Sequence, residues 1–174
     1  ARVLISDPSW ENHRALFTQA GFTVGTYRYY DAANRGINFA GFLADLQAAP
    51  AETIVVLHAC CHNPTGYDIT PAQWDEVVQV VKSRKLTAFL DMAYQGFGHG
   101  IAEDGAVVGK FVAAGVNFFV STSFSKSFSL YGERVGALSV VCQSKEEAGR
   151  VLSQLKIAIR TNYSNPPTHG AAVV

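Results

Sequence analysis

Short apolar runs alternate with amphipathic ones along the whole chain. Val3–Ser6, Thr23–Tyr30, Thr53–Ala59, Ala88–Met92, Phe118–Thr122 and Val135–Cys142 read as strands. Most lack polar alternation, the mark of strands covered on both faces. The clearest helix runs from Pro71 to Arg84, with Trp74, Val77, Val78 and Val81 at positions i, i+3, i+4 and i+7. Thr70 precedes it as N-cap, Pro71 takes the first helical position, and Gln73 completes a capping box. A second helix is predicted from Lys145 to Thr161, with Ala148, Val151, Leu152, Leu155 and Ile159 as its apolar stripe. Shorter ones are expected over Asn12–Ala20, Phe39–Ala48 and Asp104–Ala114.

This alternation predicts an α/β domain in three layers, with a mostly parallel mixed sheet between helices. Val135–Cys142 follows its predecessor with no room for a crossover helix, so that strand is expected to run antiparallel. Ligands of such sheets gather at the carboxyl ends of the strands. No repeat, low-complexity tract or internal boundary is visible, so residues 1–174 read as one domain. The chain opens on a strand with no lead-in and stops within the apolar run Ala171-Ala172-Val173-Val174, which reads as a piece of a longer protein.

Composition narrows the function. Of 174 residues, 48% are hydrophobic and 16% charged, which suits a packed core. Fourteen basic residues balance fourteen acidic ones, so no basic face for nucleic acid or an anionic membrane is implied. No apolar run reaches the ~18 residues of a membrane span. The cysteines, Cys60, Cys61 and Cys142, suggest neither a disulfide framework nor a CxxC site, and a reducing cytoplasm is the expected setting. His58, Cys60, Cys61 and His62 crowd four potential ligands into five residues, unlike a zinc module, so no metal is expected.

Five segments carry candidate chemistry. In Ser123-Phe124-Ser125-Lys126 a lysine follows an apolar run, with two serines before it and Arg134 eight residues after it. An amine beside anion-binding groups suits a Schiff base to pyridoxal phosphate, with hydroxyls and a guanidinium on the phosphate. Asp91 ends a buried strand, where an ionised carboxylate is costly unless paired, and a pyridinium nitrogen would be such a partner. Tyr94 lies three residues on. Asn63 sits in the turn His62-Asn63-Pro64-Thr65-Gly66, where its amide can donate to a ring or substrate oxygen, or simply shape a loop. Trp10 follows the first strand and can stack on a flat ring, and His13 can support a buried carboxylate such as Asp91. Arg160, before Asn162-Tyr163-Ser164-Asn165-Pro166-Pro167, suits bidentate carboxylate recognition, although helix-end arginines are also common in solvent.

In order, Asp7-Pro8-Ser9-Trp10-Glu11-Asn12-His13, His62 to Gly66, Asp91 to Phe97, Ser123 to Gly136 and Asn162 to Pro167 resemble the aspartate/aromatic amino acid aminotransferases. These are class I enzymes of the fold-type I pyridoxal-phosphate superfamily, and the resemblance covers essentially the whole chain. It implies pyridoxal 5'-phosphate as cofactor and transfer of an amino group between aspartate, glutamate or an aromatic amino acid and a 2-oxo acid. It further implies that Lys126 holds the cofactor and moves the substrate proton. Asp91 would pair with the ring nitrogen, supported by His13, with His58 more remote. Tyr94 and Asn63 would bond the ring oxygen, and Trp10 would stack on the ring. Asn63 and Trp10 would also face the substrate. Ser123, Ser125 and Arg134 would hold the phosphate. Arg160 would reach into a neighbouring subunit's site in a homodimer with shared active sites and bind a side-chain carboxylate.

By the same resemblance the small domain, the upstream phosphate loop and a downstream carboxylate-binding arginine lie outside residues 1–174. The fragment alone is therefore expected to be inactive. A lyase or decarboxylase on the same cofactor, and a non-catalytic module derived from such an enzyme, are the alternatives. The Tyr163–Pro167 segment with Arg160 weighs against the first, and retention of Lys126, Asp91, Tyr94 and Arg134 against the second.

Overall fold

The computed structural model describes residues 1–174. Eight strands and six helices follow one another as β1 (Arg2–Asp7), α1 (Glu11–Gln19), β2 (Thr23–Arg28), β3 (Tyr30–Asp31), β4 (Gly36–Ile37), α2 (Phe39–Ala48), β5 (Ile54–His58), α3 (Pro71–Ser83), β6 (Thr87–Met92), α4 (Ile101–Ala114), β7 (Phe118–Ser123), β8 (Gly136–Val141), α5 (Lys145–Asn162) and α6 (Thr168–Val173). Six strands form one sheet in the order β2-β1-β5-β6-β7-β8. All its pairs are parallel except β7 with β8, which is antiparallel as the short connection requires.

Side-chain alternation divides the sheet into two unlike faces. Leu4, Val55, Leu57, Ala88, Leu90, Phe118 and Val120 point toward α2, α3 and α4, joining Phe42, Leu46, Trp74, Val77, Val81 and Phe111 in the main core. Val3, Ile5 and Val56 point the other way, with Ile54, Phe89 and Phe17 of α1 packed on them. β1 pairs with β2 on one side and β5 on the other, so the chain reverses its direction of travel between β1 and β5. Clefts open at such a switch point, beyond the carboxyl ends of the strands.

The predicted elements form where periodicity placed them, with four departures. The second predicted strand stops at Arg28, and Tyr30–Asp31 pairs with Gly36–Ile37 as a small hairpin. Its turn is shaped by Asp31, whose carboxylate accepts from the backbone N–H of Ala33 and Asn34. Helix α4 begins three residues before Asp104. That carboxylate folds back onto the N–H groups of Gly96, Gly98 and His99, so it closes the preceding loop and does not cap a helix from in front. Residues 168–173 form the additional helix α6.

The fourth departure concerns α5. The helix forms where predicted, but its apolar stripe finds no cover: no residue of α5 is buried, and Leu152 is 52% exposed. The helix is tied to the body at its start, where Asn117 Nδ2 donates to Glu147 Oε1 at 2.8 Å, and then leaves the sheet edge. At β7–β8, Gly136 is required by close approach, because a Cβ there would sit 2.7 Å from the Thr122 carbonyl oxygen.

Phe111 is fully buried, with Trp74 and Phe118 rings 6.4 and 5.3 Å away. Phe111→Ala is expected to cost about 3–5 kcal/mol in urea unfolding of the complete protein, through lost burial and the cavity left behind. A loss under about 1 kcal/mol would show that α4 is not held by this contact.

Candidate active site

Cross-strand register aligns the chemistry. His58, Asp91 and Ser121 are successive partners across β5, β6 and β7, and alternation sends all three to the α1 side of the sheet. His13, 4% exposed on the first turns of α1, reaches down to them. Its Nε2 lies 2.8 Å from Asp91 Oδ2, and its Nδ1 lies 2.8 Å from Ser9 Oγ. A carboxylate can only accept, so Nε2 carries the proton of this bond. Ser121 Oγ donates to Asp91 Oδ1 at 3.1 Å. Both carboxylate oxygens are therefore held.

Burial opposes charge on Asp91, but the His13 hydrogen bond, the charges of His13 and His58, and Ser121 outweigh it. The carboxyl group stays below its ordinary range. It is thus kept ionised at the floor of a cleft of about 260 Å³. Trp10, His58, Asn63, Tyr94, Ser123, Ser125, Lys126 and Arg134 line the same cleft with it. Larger hollows exist, of about 460 and 600 Å³, but neither contains a lysine amine facing a carboxylate of the central strands.

Each wall has a local cause. Lys126 lies in the turn after β7, where Ser123 Oγ accepts from the N–H of Ser125 at 3.2 Å and Lys126 O accepts from Ser129 at 3.1 Å. Its Nζ lies 5.2 Å from the centre of the Tyr94 ring. A short 3-10 turn, Tyr131–Glu133, then leads to Arg134 in a left-handed conformation with φ 54°. Arg134 Nη1 donates to the Tyr131 carbonyl at 2.9 Å, leaving the rest of its donor fork toward the cleft mouth.

Asn63 is presented by a turn built around His62. That ring is 2% exposed, stacks on Tyr29 at 4.0 Å, and lies 2.9 Å from Ser6 Oγ and 2.8 Å from Thr65 Oγ1. Between His13 and His62 sits His58, with centroids 5.1 and 4.3 Å from theirs and both of its ring nitrogens buried without a partner. Burial and the His13 charge push His58 down to about 4. Burial, with the charges of His58 and His13, pushes His62 to about 3.

The structure thus brings together every candidate residue except Arg160. That arginine lies on exposed α5, and its guanidinium donates to Ser164 Oγ, outside the cleft. Sequence reasoning passed over Ser9 and Ser121, which hold His13 and Asp91, and Tyr131 in the cleft wall. Ser121 carried a usable signal, since it lies two residues before Ser123 and so on the same face of β7.

The family model for "Aminotransferase class I and II" matches residues 1–174. The chain belongs to this aminotransferase family. Aspartate aminotransferase of Pseudomonas aeruginosa is 67% identical over the whole chain, and tyrosine aminotransferase of Klebsiella pneumoniae 59%. The chain spans only 44% of each of these relatives. A crystal structure of an aromatic-amino-acid aminotransferase from Burkholderia pseudomallei, described as covalently bound to pyridoxal phosphate, superposes with a TM-score of 0.98 at 68% identity. That match covers 99% of this chain and 43% of the other. The fold is therefore that of the fold-type I aminotransferases, in part. No helix is long and apolar enough to cross a membrane.

His58 and His62 are neutral in the folded chain, below the ~6.5 of an exposed imidazole. The stability they contribute is complete above about pH 6.5 and is lost as pH falls toward 4, because the unfolded chain takes up protons that the fold refuses. Asp91, lowered in its turn, adds a loss only in more acidic solution. The urea midpoint of the complete protein should fall between pH 7.5 and 5, and less so in His62→Gln. A midpoint that stays level over that range in the native protein would refute this account of the imidazoles.

Proposed function

We propose that the complete protein is a pyridoxal 5'-phosphate-dependent aminotransferase, moving an amino group between aspartate, glutamate or an aromatic amino acid and a 2-oxo acid. The observation carrying this reading is the lysine amine of Lys126 in one cleft with the ionised, doubly held Asp91 carboxylate. The names of the relatives and the cofactor of the Burkholderia enzyme support it. The residues present fit the group. A carboxylate held ionised suits a ring nitrogen, two unpartnered buried imidazole nitrogens stand beside it, and the free guanidinium donors of Arg134 suit a phosphate.

When bound, pyridoxal phosphate supplies an aldehyde that condenses with amines and a ring that draws electrons from the substrate α-carbon. Asp91 holds a proton at the ring nitrogen, and His13 with Ser121 keeps that carboxylate in place and charged. Lys126 would hold the cofactor through its amine and, once freed by the substrate, would serve as the tethered base that carries the α-proton in a 1,3-shift between the substrate α-carbon and the cofactor's C4′. Tyr94 and Asn63 donate to the ring oxygen, and Asn63 also to the substrate carboxylate. Trp10 covers one ring face. Ser123, Ser125 and Arg134 anchor the phosphate, Arg134 by charge and fork geometry.

In this reading residues 1–174 are the central part of the cofactor-binding large domain of a cytoplasmic homodimer. The uncovered α5 brings Arg160 to the partner's site, where it grips a side-chain carboxylate. The free state of all three cysteines accords with a reducing compartment.

In the complete protein, Lys126→Ala should lower turnover of aspartate with 2-oxoglutarate by at least about 10³-fold and abolish covalent retention of the cofactor. Normal turnover in that variant would end the proposal. Arg160→Leu should lower kcat/KM for aspartate by about 10–100-fold, the worth of a charge-assisted bidentate bond, and for phenylalanine far less. Equal losses for both substrates would remove Arg160 from carboxylate recognition.

A further inference from the structure

Across the sheet from His13 lies a second cluster that the cleft does not use. Cys60 Sγ, Cys61 Sγ and a carboxylate oxygen of Asp104 lie within 4.8 Å of one another. In sequence this region offered only four crowded ligands, and the fold replaces that set by adding a carboxylate from α4. Cys61, three residues past the end of β5, has φ 50°, a left-handed turn that lets the adjacent Cys60 and Cys61 side chains share one neighbour. Asp104 is 5% exposed and fixed by three backbone N–H groups, so its position is set by the loop and not by the cysteines. The Tyr94 carbonyl oxygen lies 3.7 Å from Cys61 Sγ. Ligands of a tetrahedral zinc site with Zn–S near 2.3 Å and Zn–O near 2.1 Å stand about 3.6 Å apart, so this separation already fits.

We propose that Cys60, Cys61 and Asp104 form a binding site for one thiophilic divalent cation, of the Zn²⁺ or Cd²⁺ class, with the Tyr94 carbonyl as a neighbouring oxygen ligand. Two sulfurs select a soft or borderline ion over Mg²⁺ or Ca²⁺. The surroundings carry negative charge. Asp68 lines both hollows beside the two thiols, and with Asp104 it supplies carboxylate charge that favours a dication. Cation binding replaces the two thiol protons, which leave to solvent, and forms two metal–sulfur bonds. Cys60 and Asp104 face the hollow of about 460 Å³, Cys61 the one of about 600 Å³, and His99 lines both, which gives the ion two approaches. Closing the three ligands onto one ion asks for shifts of about 1 Å. Occupancy would tie the backbone of Tyr94 to a fixed point just behind the cleft.

The test is titration of the complete, cofactor-loaded protein with Cd²⁺ in a phosphine reductant, read by the ultraviolet thiolate-to-cadmium charge-transfer band and by cadmium retained after desalting. One retained ion per chain with the band is expected, unchanged in Cys142→Ser. Cys61→Ser and Cys60→Ser should each weaken binding by more than about tenfold, and the double variant should lose the band. Cys61 is only partly buried and its thiol donates to the Tyr94 carbonyl, so its serine variant is expected to fold, as far-ultraviolet circular dichroism would show. The proposal is overturned if the native protein gives no band, if the band survives in the double variant, or if it disappears in Cys142→Ser.

Discussion

The Asp91 carboxylate sits four-fifths buried at the end of a central strand, where an unpaired charge would cost several kcal/mol. What keeps it there is the contact with His13 at 2.8 Å, backed by Ser9 on one side and opposed across the carboxylate by Ser121. This contact joins His13 of α1 to Asp91 of β6, residues 78 apart in the chain, and so ties α1 to the sheet at the floor of the cleft. The cleft's shape depends on it as well, because Asp91 is its floor and Trp10, next to the start of α1, is one of its walls.

The two faces of the sheet share the work unequally. Toward α2, α3 and α4 the strands present Val, Leu and Ala in a continuous core, which supplies rigidity. Toward α1 the same strands present Phe89 and Phe119 lower down, stacked at 5.8 Å, and His58, Asp91 and Ser121 one pleat further along. The polar row follows the last apolar layer, so functional side chains stand on a packed base and point into a water-accessible end. A row of imidazoles from His13 through His58 to His62 links the Asp91 pair with the turn that presents Asn63. Asn63 and Asp91 are thus positioned by one connected set of buried rings.

Much of this was legible in the residues. Fully apolar strands, the capping box of α3 and the short link before β8 fixed the class of fold, since each is a local signal with a local cause. The motifs around Lys126, Asp91 and Asn63 named their own chemistry because turn residues and strand ends are read within a few positions. The start of α4 was placed three residues late for the same reason. Only the path of the Gly96–His99 loop shows which N–H groups the Asp104 carboxylate serves. The helix of α5 formed as its stripe predicted, but periodicity states only that a face is apolar and says nothing of what will cover it.

Sequence alone determined which groups this chain possesses and the period at which they face one way: a lysine after a buried strand, an aspartate ending another, an arginine on an amphipathic helix. Tertiary structure decided which of them meet. Register across β5, β6 and β7 aligned His58, Asp91 and Ser121, and packing of α1 brought His13 onto that row, whereas Arg160 was left on a helix that touches none of them. The physical reason is range. Alternation and capping act over one to four residues, while pairing a buried charge requires partners from distant parts of the chain, chosen by strand order and helix packing.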